Sequence, residues 1–263
     1  MTLLMTTREH ISYSELKDWA HCPHYHKKSW IEKVSTFEGN EYTAFGTAIH
    51  DVCEKKLLKE DIDEAEVFQI GFAKKLQELM EKNIEVNGAN VEQMRTAGPA
   101  ILAEVDEALK EYFGEYEVFS SEEMLYVPIE NFNINFKGFV DAVVKVGDTY
   151  HLFDWKTCSW GWDSRKKAQK LITYQLTLYK HFFCQKHKID PTSVETHFAL
   201  LKRTAKKDRV EIFRVTSGPK KTENALKLLY QAIYNITKRF SIKNRLNCHK
   251  PYPCKLLNTE HCP

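Results

Sequence analysis

Two apolar, β-branched runs, each carrying one acid, constrain this chain more than any other feature. They are Gly138-Phe139-Val140-Asp141-Ala142-Val143-Val144 and Tyr150-His151-Leu152-Phe153-Asp154-Trp155-Lys156. A mostly polar stretch, Lys145 to Thr149 with Gly147-Asp148 at its turn, separates them. Strand-forming runs joined by a glycine-containing turn predict a β-hairpin with the acids on adjacent strands. Side chains alternate along a strand, so Asp154 and Lys156 share a face. Two carboxylates and an ammonium at one end of a sheet suit metal-assisted phosphodiester cleavage. The acids can hold a hard divalent cation, and the lysine can act on the attacking water or offset developing charge.

The rest of the chain gives the hairpin its setting. Ser12, with Glu15 three positions on, predicts a capped helix over 11–20, ended by Cys22-Pro23. Apolar residues at Phe45, Ala48, Ile49, Val52 and Leu57 predict a helix from Phe45 to Lys59 that opens at Gly46-Thr47. Two more amphipathic helices follow, at 63–82 and 91–113, split at Asn87-Gly88. From Val118 the pattern turns to strands, at about 118–130, 132–145 and 149–156, and returns to helix from Arg165 to His187. Strands at about 194–202 and 208–215 precede a helix over 219–240, with Ser217 as its cap. This order predicts an α/β (α+β) fold: a mixed central sheet flanked by helices. One catalytic domain over 1–263 is expected, with a helical N-terminal part (1–117), a sheet core (118–216) and a final helix with a cysteine-rich tail (217–263).

Of the 263 residues 43% are hydrophobic and 28% charged, a globular composition long enough for a sizeable core. The net charge is only +2, so any affinity for nucleic acid must come from local clusters. Arg165-Lys166-Lys167 with Lys170 forms one, and Lys202-Arg203 with Lys206-Lys207 another; such clusters otherwise serve as solvated faces. No apolar run reaches the length of a membrane span, and no signal-peptide core follows Met1, so a cytoplasmic location is expected (host cytoplasm if the source is viral). In a reducing compartment the seven cysteines favour metal ligation or burial over disulfides.

His50 follows Gly46-Thr47-Ala48-Ile49, with Glu54 one turn further along the same face. It completes a series: Ser12-Tyr13-Ser14-Glu15-Leu16 with Cys22-Pro23 and Tyr25; Gly46-Thr47-Ala48-Ile49-His50; Gly138-Phe139-Val140-Asp141; Asp154-Trp155-Lys156-Thr157; and Gln175 with Tyr179 in a Q-x-x-x-Y spacing. In this order the set resembles the PD-(D/E)XK nuclease superfamily, in the RecB-like exonuclease branch that also holds CRISPR-associated adaptation nucleases and many phage exonucleases. The resemblance implies a restriction-endonuclease-like core with a helical N-terminal insertion. It makes His50, Asp141 and Asp154 side-chain metal ligands and the Trp155 carbonyl a backbone ligand. Lys156 becomes the catalytic lysine, with Gln175 and Tyr179 orienting Lys156 and the DNA end. Their i, i+4 spacing places both on one helix face. Two departures stand out: Val140, not proline, precedes the first acid, and the second acid is Asp, one methylene shorter than Glu. Hard oxygen donors with one imidazole suit Mg²⁺ or Mn²⁺, with Glu54 an outer-sphere partner if two ions bind.

Cys248, Cys254 and Cys262 stand in a C-x5-C-x7-C spacing, far in sequence from Cys22. The resemblance extends to a subset that holds a [4Fe-4S] cluster with one N-terminal and three C-terminal cysteines, which implies these four as ligands. His249 and His261 keep a Zn²⁺ site open as the alternative. Cys53, Cys158 and Cys184 read as small apolar packing residues.

Trp155, Trp160 and Trp162, ahead of Arg165-Lys166-Lys167, could stack bases and grip phosphates, or pack over the sheet end. No sequence-reading motif is present, so binding should be electrostatic and salt-sensitive. The expected function is a Mg/Mn-dependent DNA exonuclease that prefers single strands or DNA ends. A structure-specific endonuclease and a non-catalytic DNA-binding subunit are the alternatives. A recombination, repair or CRISPR-adaptation partner would fit, as would phage genome processing; a membrane would not.

Overall fold

A computed structural model describes residues 8–34, 37–249 and 253–263. The first seven residues, on which the leader reading bears, lie outside it, as does Pro251 of the tail. A six-stranded mixed sheet organises the molecule: β1 (His10–Ser12), β2 (Glu117–Pro128), β3 (Asn135–Val146), β4 (Thr149–Cys158), β5 (Val194–Lys202) and β6 (Val210–Arg214). The spatial order is β1-β3-β4-β5-β6, with β2 also paired to β3. The predicted hairpin is β3–β4, antiparallel from Ala142↔Phe153 to Val146↔Thr149. Its two-residue turn places Gly147 at φ +57°, a conformation that costs glycine little and other residues more.

Helices cover both faces of the sheet. On one face lie α1 (Tyr13–His21), α7 (Lys170–His187) and α8 (Pro219–Thr237), packed with Leu152, Val140 and Phe136 in a core that includes Leu178, Phe182 and Leu229. On the other lie α3 (Glu41–Leu57), α4 (Glu64–Glu81) and α5 (Gly88–Phe113), packed with Ala142, Phe153, Trp155 and Ala199. Alternation along β4 explains the split: Leu152 and Asp154 point to one layer, Phe153 and Trp155 to the other. The short α2 (Pro23–His26) and a π-helical turn (Lys27–Ile31) follow α1, and α6 (Ser164–Ala168) precedes α7.

The element boundaries depart from the sequence expectation in four instructive places. Strand β1 precedes α1 and pairs parallel with the start of β3, His10↔Asn135 to Ser12↔Lys137. Three residues carry too little periodicity to be read as a strand. Ser12 does cap α1, its Oγ accepting the Glu15 N–H at 3.2 Å. Helix α3 begins at Glu41 rather than Gly46-Thr47, because Asn40 and Thr43 form a reciprocal capping box. The helix expected from Arg165 is broken at Gln169, which has extended backbone and caps α7. Gly218, not Ser217, stands at the N-cap of α8; the Ser217 hydroxyl instead meets Thr177 Oγ1 at 3.0 Å.

Candidate active site

The two acids sit where the hairpin comes apart. β2 lines one edge of β3 along nearly its whole length. On the other edge β1 pairs with residues 135–137 and β4 with 142–146, so residues 138–141 have no ladder partner there. Beyond Phe153, β4 leaves β3 and continues parallel to β5, from Asp154↔Phe198 to Cys158↔Lys202. Asp141 bridges the opening: its Oδ2 accepts the Trp155 N–H at 2.7 Å. The carboxylate thus satisfies a backbone donor that the parting strands leave without a ladder bond.

Six side chains with polar chemistry converge here. His50, from α3 on the far layer, lies with Nδ1 3.6 Å from Asp141 Oδ2. The Lys156 ammonium contacts Asp154 Oδ2. Gln175 Nε2 donates to Asp154 Oδ1 at 2.7 Å and lies 3.3 Å from the Tyr179 hydroxyl. Asp154 is buried, and its Oδ2 lies against the Lys156 ammonium. The side chains of His50, Asp141 and Lys156 keep 33, 25 and 31% of their surface open, so the opening is reachable from outside.

Enclosure sets the charges. Burial pushes the Asp141 carboxyl up to about 6, against the Lys156 charge and the Trp155 N–H. Burial does the same to Asp154, also to about 6, with Lys156 opposing and Asp141 reinforcing. Burial holds the His50 imidazole down to about 4, so it offers a neutral lone pair at neutral pH. Burial also works against the Lys156 ammonium, but Asp154 and Asp141 overcome it and keep its pKa above the usual lysine value. Two carboxylates and a neutral imidazole fit a hard divalent cation.

Every side chain of the catalytic reading is therefore brought together, with one change of partner. Gln175 contacts Asp154 rather than Lys156. Trp155 turns its indole into the core, at 1% exposure, which leaves its backbone at the site. Three further residues shape the site. The buried Tyr13 hydroxyl has no hydrogen-bond partner and lies close enough to Tyr179 and Asp154 for both to raise its pKa after burial. Gly138 lets the Tyr179 ring lie against β3, since a Cβ there would stand 2.8 Å from Tyr179 Cε1. Glu122, on β2 at φ +48°, is near enough to raise the Asp141 carboxyl further. The serine-tyrosine-serine element hinted at Tyr13; nothing in the sequence marked Glu122.

The family model of the PD-(D/E)XK nuclease superfamily matches residues 10–263. This chain belongs to the PD-(D/E)XK nuclease superfamily. Superfamily members use divalent metal ions, in keeping with the donor set above. Among solved structures, a "putative exonuclease" from Eubacterium rectale shares the fold at a TM-score of 0.59, with 13% identity over 92% of this chain and 86% of that one. A second structure, SSO0001, aligns over 96% of this chain and 90% of its own at 12% identity and a TM-score of 0.39, too distant to weigh. No curated protein matches the sequence.

The nuclease core carries a second assembly. Cys22, Cys248, Cys254 and Cys262 line one small cavity, together with His21, His24 and Tyr25. Burial raises the Cys248 thiol, and the other three thiols add to the effect. Asn244 and Asn247 side chains donate to the His21 carbonyl at 3.0 and 2.8 Å, stitching the tail to the end of α1. Cys53 and Cys184 are buried and Cys158 partly so.

The proposed substrate clusters divide. Arg203 is buried under Tyr42 and bonds Ser159 Oγ at 2.8 Å, a packing role. Lys167 and Lys202 pair with Glu211. Arg165, Lys166, Lys170, Lys206 and Lys207 remain exposed, and Trp160 is 74% exposed. Trp162 packs on Phe198 and Phe213, with the Lys166 ammonium 4.6 Å from its ring centre. Among the described residues, no helix is long and apolar enough to cross a membrane.

Proposed function

We propose that this nuclease hydrolyses DNA phosphodiester bonds as a Mg²⁺- or Mn²⁺-dependent exonuclease acting on single strands or DNA ends. The observation that carries the reading is the meeting of His50, Asp141, Asp154 and Lys156 at the parting of β3 and β4. His50, Asp141 and Asp154, with the Trp155 carbonyl, would hold the ion. The bound ion would supply a Lewis acid that activates water and offsets charge on the phosphate. Gln175 fixes the Asp154 carboxylate in one orientation. Lys156, kept cationic by its two acid neighbours, is a donor able to meet an anionic phosphate oxygen. The exposed Trp160 and the basic α6 lie just beyond β4 and could carry the strand.

Lys156→Ala should abolish Mg²⁺-dependent degradation of labelled linear DNA while the far-UV spectrum stays native. Undiminished cleavage by that variant would sink the reading. A circular single strand resolves the mode of attack, since an exonuclease leaves it intact and an endonuclease cuts it. Wild-type protein that binds DNA yet never cleaves it, with either ion, would identify a non-catalytic subunit.

The cysteine assembly reads as a [4Fe-4S] site, with Cys22, Cys248, Cys254 and Cys262 each ligating one iron. Anaerobically purified protein should then be brown, with iron and sulfide in equal amounts, and Cys254→Ser should bleach it. Colourless protein whose bound zinc is lost in Cys254→Ser would establish the Zn²⁺ alternative instead.

A further inference from the structure

A group of three metal-competent donors closes together outside the catalytic opening. His151 on β4 and Glu195 and His197 on β5 face one another near the start of the two parallel strands. His151 pairs in register with Glu195, and His197 lies two residues further along β5, so the three share a face. His151 Nδ1 and His197 Nε2 are 3.1 Å apart. Glu195 Oε2 lies 3.8 Å from the first and 3.9 Å from the second. Among the described residues this is the group whose ligand atoms all fall within 4.8 Å of one another.

We propose that His151, Glu195 and His197 bind a zinc-type divalent transition metal, forming a clip between β4 and β5 that is separate from the catalytic centre. Ligand atoms around a tetrahedral zinc at 2.0–2.1 Å stand about 3.4 Å apart, and the three observed separations bracket that value. Two imidazoles and one carboxylate suit a borderline ion better than the all-oxygen shell Mg²⁺ prefers. Three protein donors leave a fourth position for water.

The surroundings prepare each donor. The Tyr112 hydroxyl lies 3.2 Å from His197 Nδ1 and can accept a hydrogen bond from it, which makes Nε2 a lone pair shared with His151 Nδ1–H until a metal displaces that proton. Arg214 binds Glu195 Oε1 at 2.8 Å, orienting the carboxylate and leaving Oε2 for the metal. Its charge opposes a nearby cation, but the same carboxylate screens it. The Phe113 ring rests against both imidazoles, with centroids at 5.1 and 5.3 Å. Burial, with help from His151 and Arg214, holds His197 down to about 3. His151 is also held below its ordinary value, chiefly by burial. Both rings are therefore neutral at physiological pH, the state that ligates metal. His151 precedes Asp154 by three residues and points to the opposite face, about 10 Å along the strand, so the two sites share no ligand.

The test uses the full chain stripped with EDTA and titrated with Co²⁺ as a visible probe and Zn²⁺ as competitor. Wild type, His151→Gln, Glu195→Gln and the catalytic-site variant Asp154→Asn are compared. The expected result is one equivalent of four-coordinate Co²⁺, without sulfur charge-transfer bands, present in wild type and Asp154→Asn. In His151→Gln and Glu195→Gln it should be lost or weakened by more than about 10-fold. Zn²⁺ should raise Tm in Asp154→Asn, and should raise it less in His151→Gln and Glu195→Gln than in wild type. Equal binding and equal spectra in all four proteins would overturn the site, as would the absence of this Co²⁺ spectrum from wild type. Glu195→Gln keeps a hydrogen-bonding group for Arg214, so it carries the comparison if His151→Gln unfolds. Loss of nuclease activity in Asp154→Asn with the Co²⁺ spectrum intact separates this site from the catalytic one.

Discussion

The side chain of Gln175 decides the state of Asp154. Its amide occupies Oδ1 and turns Oδ2 towards the Lys156 ammonium and the opening. Gln175→Ala frees the carboxylate to rotate and leaves a buried oxygen without its donor. Metal affinity in that variant should fall by about 10- to 100-fold with little change in fold, read by Mn²⁺ titration and by the metal concentration needed for half-maximal cleavage. The i, i+4 spacing of Gln175 and Tyr179 already announced a common target. It did not say which, because the rotamer of Gln175 depends on how far β4 has swung from β3.

At the scale of elements, α3 carries His50 to the acids, so the stability of its first turn bears on the site. Asn40 accepts the Thr43 N–H at 3.0 Å while the Thr43 hydroxyl takes the Asn40 N–H at 2.9 Å. Asn40→Ala removes one half of this box and should cost about 1 kcal/mol, measurable by urea unfolding. The apolar period of α3 was legible from Phe45 onward, but Glu41 to Ala44 belong to the same helix. Gly46-Thr47 looked like an opening because glycine and threonine are poor helix formers. Tertiary packing overrides that preference: Phe45, Ala48, Ile49 and Val52 of α3 are buried in one core with Phe153 and Trp155 of β4.

Across the whole molecule, burial of two acids in one opening couples folding to pH. The Asp154 carboxyl rises from 3.8 to about 6 on folding, so between those values the folded chain holds more protons than the unfolded one. Its favourable contribution is present below pH 3.8 and is lost as pH rises through 6. Metal-free Asp154→Asn should therefore be more stable than metal-free wild type at pH 7.5, by roughly 1–3 kcal/mol. The difference should shrink towards zero near pH 4, as followed by urea unfolding at each pH. A metal ion reverses the order at pH 7.5, because it stabilises wild type through the ionised carboxylates. A difference that stays constant from pH 4 to 7.5 would contradict this account.

The sequence by itself determined the parts. Alternating β-branched runs and a glycine turn specify β3 and β4 locally, and the period of Asp154 and Lys156 places both on one face. The order of motifs from Ser12 to Tyr179 likewise pointed to the superfamily. The strand patterns rest on interactions within a few residues, so they can be read along the chain. Tertiary structure decided where the hairpin parts. β1 and β4 share one edge of β3 and leave residues 138–141 between them, and that opening gives Asp141 a backbone donor to satisfy and His50 a place to reach. It also decided the His151, Glu195 and His197 group, whose members lie 44 and 2 residues apart and meet only through the parallel register of β4 and β5. Long-range pairing of this kind leaves no local periodicity, because its partners are chosen by packing across the sheet.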